Sequence, residues 1–404
     1  MLAKLKKLGP GLLFAGASVG VSHLVQSTRA GADFGWGLLW ALLLVNLFKY
    51  PFFEFGPRYA LVTGKSLLDG YYKLGKIYLW LYFFLNIATM FTIQTAVTIV
   101  TAGLASNLFG ISSNMIYWSI GVTAICYWIL LIGRYKLLDK VIKTIVVLLS
   151  ISSILSFIIA FKKGNASLEY DQVFPEGTGL LFLIAFMGWM PAPMDISIWQ
   201  SIWVLEKKNY LKNKLSLKEG LFDFNIGYFT TVILGICFIG LGALVMFDSG
   251  LEFSNKGNVF AAQLIDLYTS NLGDAWYSVI SIAALTTMIS TTITTLDASP
   301  RAMSKTVQLL FKQKNKDFYT LWITILALGT CLIFLFLLSE MGLLIQIATV
   351  LSFITAPFYA ILNYSLVTSK HMPTGDRPNL KVKILSFLGI TFLTSFSVVY
   401  LLSL

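Results

Sequence analysis

The stretch Gly9–Asp33 reads GPGLLFAGASVGVSHLVQSTRAGAD. It is apolar and long enough to enter a bilayer, yet it is poorly made as a plain spanning helix. Gly16 and Gly20 weaken its middle, and Ser18, Ser22, His23, Gln26 and Arg29 are polar. In hydrocarbon each such group costs free energy unless it lines a cavity or meets a partner. The expectation is a helix that breaks near Gly20 and turns polar groups inward, as secondary transporters do around a substrate site.

A second stretch answers the first. Gly188-Trp-Met-Pro-Ala-Pro-Met-Asp195 interrupts another apolar segment. Pro191 and Pro193 lack an N–H and clash with the preceding turn, so the helix should unwind there and free backbone carbonyls. Asp195 follows directly. Two interrupted segments in corresponding positions are the sequence signature of a transport site.

The rest of the chain is the setting for these two breaks. Of 404 residues, 57% are hydrophobic and 12% charged, about half the charge of soluble domains. Apolar runs of membrane-spanning length recur throughout, which makes this an all-α polytopic membrane protein. Eleven spans are expected, at roughly 12–32, 36–55, 77–104, 115–132, 141–161, 179–203, 226–247, 276–296, 321–338, 343–367 and 384–402. The longest connections fall at 248–275 and 300–320. Lys4, Lys6 and Lys7 before an apolar run and Ala15-Gly16-Ala17 mimic a signal peptide, but the run continues well past Ala17, which argues against cleavage.

The net charge of +11 is a topology signal, and nucleic-acid binding is a poor reading of it. Twenty-five of the 30 basic residues fall in alternate connections, among them Lys65, Arg134, Lys208, Lys305 and Arg377. Only Lys162, Lys163 and Lys256 fall in the others. The positive-inside rule then puts the N-terminus in the cytoplasm, the C-terminus outside, and the protein in the plasma (inner) membrane. The two interrupted segments are the first and the sixth, an odd offset of five, so the sixth crosses in the opposite sense to the first. That is a LeuT-type 5+5 inverted repeat plus one helix. It reads as one transmembrane domain over 1–404, with repeats at 1–163 and 179–368 and the extra helix at 382–404.

Other chemistries find no footing. Cys126, Cys237 and Cys331 are scattered in apolar segments, without a disulfide framework or metal motif. His23 and His371 have no nucleophile pattern around them, and no phosphate-binding loop is present. The sequence therefore calls for no enzyme activity, no ATP-driven pump and no cofactor. Its partners are the lipid bilayer and a small inorganic cation or small-molecule substrate. Asn165-Ala-Ser167 matches a glycosylation sequon, which has no meaning in a bacterial host.

In order and spacing, the residues resemble the Nramp family of divalent-metal transporters. The resemblance lies in Gly9-Pro10-Gly11, Arg29-Ala-Gly-Ala-Asp-Phe-Gly35, Leu38-Leu-Trp40 with Asn46, Gly133-Arg-Tyr-Lys-Leu-Leu-Asp-Lys140, Met190-Pro191 and Ser290-Thr-Thr-Ile-Thr-Thr295. It implies that family's fold and a metal-carrying function, but the chemistry departs from it. The first helix of the family carries Asp-Pro-Gly-Asn, whose Asp and Asn bind metal; here the segment reads Gly20-Val21-Ser22-His23. The Met-Pro-His of the sixth helix has become Met190-Pro191-Ala192. Acidic positions of the third helix fall on Gln94 and Val97.

The candidate substrate-binding residues are Gly20, Ser22, His23, Gln26, Met187, Met190 and Asp195. His23 offers a neutral imidazole and Met190 a thioether, the two expected metal ligands; the alternative for His23 is a hydrogen-bonding role. Asp195 and Glu54 are the intramembrane acids left to carry a coupling proton, and Glu54 is also placed to pair with Lys49. Arg29 would repel a cation and suits a structural pair or an anionic group of a substrate. The leading expectation is a secondary-active carrier of a divalent metal cation with an atypical site. The alternatives are a carrier of a non-metal small solute on the same scaffold, or a non-transporting membrane sensor.

Overall fold

In a computed structural model, the structure describes residues 9–163, 171–210, 215–247, 253–313, 315–336 and 341–403, with backbone alone at 133–146, 148–149, 271 and 403. Lys4, Lys6, Lys7, Lys212, Lys214 and the Asn165 sequon lie outside the described residues. These residues are helical throughout, with turns between.

The first span is in three pieces: α1 (Pro10–Ser18), a π-helical turn (Ser22–Ser27) and α2 (Thr28–Phe34). Pro10 stands at the helix start, where its missing N–H costs nothing. The Asp223 carboxylate, 212 residues away, accepts from Gly11 N at 2.8 Å and from Gly9 N at 3.0 Å. A side chain at Gly11 would meet the Asp223 carbonyl at 2.0 Å, so the Gly-Pro-Gly opening is required by a close backbone approach.

There follow α3 (Leu39–Thr63), the short α4 (Leu67–Leu74), α5 (Lys76–Phe109) and α6 (Met115–Lys163). The sixth span is α7 (Thr178–Trp189) and α8 (Ile196–Tyr210), with Met190–Asp195 between them non-helical. Then come α9 (Leu217–Val245), α10 (Gly257–Leu272), α11 (Tyr277–Leu310), α12 (Tyr319–Phe336), α13 (Met341–Thr368) and α14 (Leu380–Ser403).

Helix α6 has 49 residues, a run of about 70 Å if straight. Yet Met115 at its start packs on Gly257, while Ser153 hydrogen-bonds Tyr268 at 3.1 Å. Gly257 and Tyr268 are only eleven residues apart on α10, about 17 Å. The run is therefore strongly bent within α6, where two spans were expected. Seven helical stretches among the described residues are long and apolar enough to cross a membrane, Met115–Ile132 among them. The second half of α6, α3 and the two broken spans bring the total to eleven.

Contacts sort the connections into two faces. On one, Lys305 pairs with Asp69 at 3.1 Å, Arg58 donates to the Asp376 carbonyl at 2.9 Å, and Lys208 donates to the Leu61 carbonyl at 3.0 Å. On the other, the Trp40 indole donates to the Val173 carbonyl at 2.9 Å and Arg29 reaches Asn255 at 3.4 Å. The basic connections thus meet one another, as their alternation requires. Two sequence expectations are corrected. The 248–275 connection contains α10, and the eighth span runs past Leu296 and Pro300 to Leu310. Neighbouring groups support the continued helix: Asp297 pairs with Arg301 at 2.6 Å and accepts from the Tyr319 hydroxyl at 2.6 Å.

Candidate functional site

The first break frees the carbonyls at the end of α1. Neutral donors satisfy them. The Thr291 hydroxyl of α11 donates to the Gly16 carbonyl at 3.2 Å, and the Ser22 hydroxyl donates to the Ser18 carbonyl. A Cβ at Gly20 would lie 2.7 Å from Thr291 Oγ1 and 2.8 Å from its methyl. The position aligned with the family's metal-binding Asp thus has no room for a side chain while Thr291 stays in place.

His23 is fully buried. Its Nε2 lies 2.9 Å from the Thr231 carbonyl of α9; a carbonyl only accepts, so Nε2 carries the proton. Its Nδ1 lies 2.8 Å from the Ser22 hydroxyl and 3.1 Å from the Ser18 carbonyl. Both ring nitrogens are therefore engaged within the protein. Met190 is also buried, and its sulfur lies against Gly235, one turn along α9 from Thr231. Both expected metal ligands face the same strip of α9.

Between the breaks is a chamber of about 20 Å³, room for about one water. Ser18, Ser22, Thr291 and Thr295 give it hydroxyls, and Ile93, Val97, Trp189 and Trp199 give it apolar wall. Of the candidate residues only Ser22 lines it. Among the described residues no group of three or more His, Cys, Asp or Glu could hold a metal. Gln94, on the helix expected to carry acids, instead ties α5 to α11: its Oε1 accepts from the Thr295 hydroxyl at 2.7 Å and its Nε2 donates to the Thr98 hydroxyl at 3.1 Å.

The second break is satisfied by a lysine amine. The fully buried Lys49 of α3 donates from Nζ to the carbonyls of Met187 at 2.7 Å, Gly188 at 2.8 Å and Ala192 at 3.5 Å. This corrects the expected Lys49–Glu54 pair. Glu54 instead takes both Nε and Nη2 of Arg58, the latter at 2.6 Å, because the i,i+4 partner is on its own face. Asp195, just before α8, is buried; neither carboxylate oxygen makes a well-formed hydrogen bond. It stands at the N-terminus of α8, where the helix leaves amides unpaired.

Gln26, near the end of the π turn, lies with Arg29 in a second cavity of about 450 Å³. Asn255, Gln346 and Thr178 complete its polar lining. No acid lines it among the described residues. Arg29 Nε is buried without a hydrogen-bond partner, and Nη1 makes the single 3.4 Å contact with Asn255. The sequence did not single out Lys49 as a cap for the second break, nor Asp223 as a cap for the first helix. Each finds its partner more than a hundred residues away, beyond the reach of any local pattern.

Two broken spans facing each other across an inverted repeat define the class of LeuT-type helical membrane transporters. The Nramp family profile, described as natural resistance-associated macrophage protein-like, matches residues 11–403; the chain belongs to that family. An uncharacterised protein of Pasteurella multocida is 36% identical over 99% of this chain and 92% of its own length. A divalent metal cation transporter of Listeria welshimeri is 23% identical over 69% of this chain and 63% of its own. Among solved structures, a mutant of the Eremococcus coleocola manganese transporter superposes with a TM-score of 0.71 at 14% identity, over 97% of this chain and 85% of that one.

Proposed function

We propose that this protein is a secondary-active membrane carrier, with its centre between the breaks at Val19–Val21 and Met190–Asp195. The observation that carries this reading is the pair of opposed helix breaks around one small chamber. The relatives named as divalent-metal transporters put such a cation first among candidate cargoes. In this reading the ion meets carbonyls and hydroxyls and no carboxylate at the first break, so it is held weakly. His23 and Met190 join it only by leaving Thr231 and Gly235. Asp195 is the acid better placed for proton coupling, since Glu54 is engaged by Arg58.

One observation favours a second reading, a small solute bearing a carboxylate. The larger cavity presents Arg29 with a buried, unpartnered Nε, beside Gln26 and Asn255. A guanidinium without an acid repels cations and suits a carboxylate. Proteoliposome uptake of Mn²⁺, Cd²⁺ and a panel of small carboxylates separates the readings. Metal uptake unaffected by Arg29→Gln supports the first. Carboxylate uptake that falls at least tenfold in Arg29→Gln supports the second. No uptake of either leaves the non-transporting sensor.

The basic face is taken as cytoplasmic, with the N-terminus inside and the C-terminus outside. Single cysteines at Ser254 and Thr374 in a Cys-free background should label from opposite sides, Thr374 from within. Labelling from one side only would overturn the topology.

A further inference from the structure

We propose that Lys49 is a tethered cation: its ammonium is the resident occupant of a carbonyl cage at the sixth-span break, and Asp195 is its counter-charge. The cage is built from three carbonyls. Unwinding at Pro191 and Pro193 leaves those of Met187, Gly188 and Ala192 without helical donors, and all three converge on Lys49 Nζ at 2.7, 2.8 and 3.5 Å. Such a cage of dipoles is what free cations find in unwound transporter helices. Here the charge arrives on a side chain from α3, a different span, and cannot leave.

Asp195 is the second, independent observation. It is 3% exposed, with both carboxylate oxygens lacking a hydrogen bond of good geometry. The buried hydroxyls of Tyr82 and Tyr359 are also unpartnered. A carboxylate kept here at the N-terminus of α8, without a side-chain donor, is intelligible as the balance for one buried positive charge. An isolated buried charge costs far more than a paired one. The cage therefore recognises a protonated primary amine, and it stays closed to free metal ions for as long as Lys49 occupies it. The inference concerns the break itself and stands whether or not the cargo is a metal.

Chemical rescue tests it. Lys49→Ala removes three methylenes and the ammonium, which n-propylammonium replaces in shape and charge. Thermal unfolding of purified Lys49→Ala should shift upward, saturably and by several degrees, with n-propylammonium. Wild type should not respond, and tetramethylammonium, which has no N–H, should not rescue. Adding Asp195→Asn should weaken the rescue at least tenfold. If Lys49→Ala is recovered folded only when propylammonium is present during purification, that is the same result in another form. A folded Lys49→Ala with no selective response to propylammonium overturns the proposal. So does a Lys49→Met variant that is as stable as wild type.

Discussion

The two helix breaks sit in equivalent places of the inverted repeat, yet they satisfy their freed carbonyls by opposite means. At the first, the donors are neutral: the Thr291 and Ser22 hydroxyls, with the His23 ring held beside them by its Nε2–H to the Thr231 carbonyl. At the second, the donor is the side-chain amine of Lys49. No carboxylate lines the chamber at the first break among the described residues, and the second has taken the Lys49 amine into its own structure. Unwinding a helix in a membrane obliges the chain to re-pair its backbone, but it leaves open which chemistry does so. That choice decides whether a break is available to an ion.

The comparison predicts unequal costs. Asp195→Ala, which leaves the Lys49 ammonium without its counter-charge, should be the most damaging, at about 3–5 kcal/mol. A loss under about 1 kcal/mol in thermal unfolding would mean that the second break is not held by charge. His23→Phe keeps the ring volume and removes both hydrogen bonds at the neutral break. It should cost about 1–3 kcal/mol, the cost of leaving the Thr231 carbonyl and the Ser22 hydroxyl without the ring. If it equals or exceeds the Asp195→Ala loss, the distinction between the breaks collapses. Gln94→Leu cuts the α5–α11 tie, a polar contact between spans of the kind worth about 0.6–1.7 kcal/mol. A larger effect, above all on uptake with stability intact, would show that Gln94 does more than hold two helices together.

The sequence carried the architecture because its signals are local. Gly20 and the Pro191–Pro193 pair each act within a few residues, and each broke a helix where expected. What remained hidden rests on partners far along the chain. Lys49 in an apolar helix pointed to its near neighbour Glu54, whereas its acceptors are about 140 residues on. His23 and Met190 looked like ligands because both sit at breaks, and their direction toward α9 follows from packing. Gly20 showed the loss of a carboxylate, but the reason a side chain cannot simply be restored there is Thr291, on the eighth span.

The most direct test of the altered first break is calorimetry with Mn²⁺ and Cd²⁺ on purified wild type, His23→Ala and Gly20→Asp/Thr291→Ala. The Thr291 change is needed to clear the 2.7 Å clash at residue 20. A carboxylate about 4 Å from a divalent ion contributes about 8 kcal/mol at an effective dielectric of about 20, before desolvation. Even a fifth of that is about tenfold in affinity. The account predicts weak binding to wild type, little change in His23→Ala, and at least tenfold tighter binding in the double variant. Tight metal binding by wild type that is lost in His23→Ala would contradict it, and would make His23 a metal ligand after all.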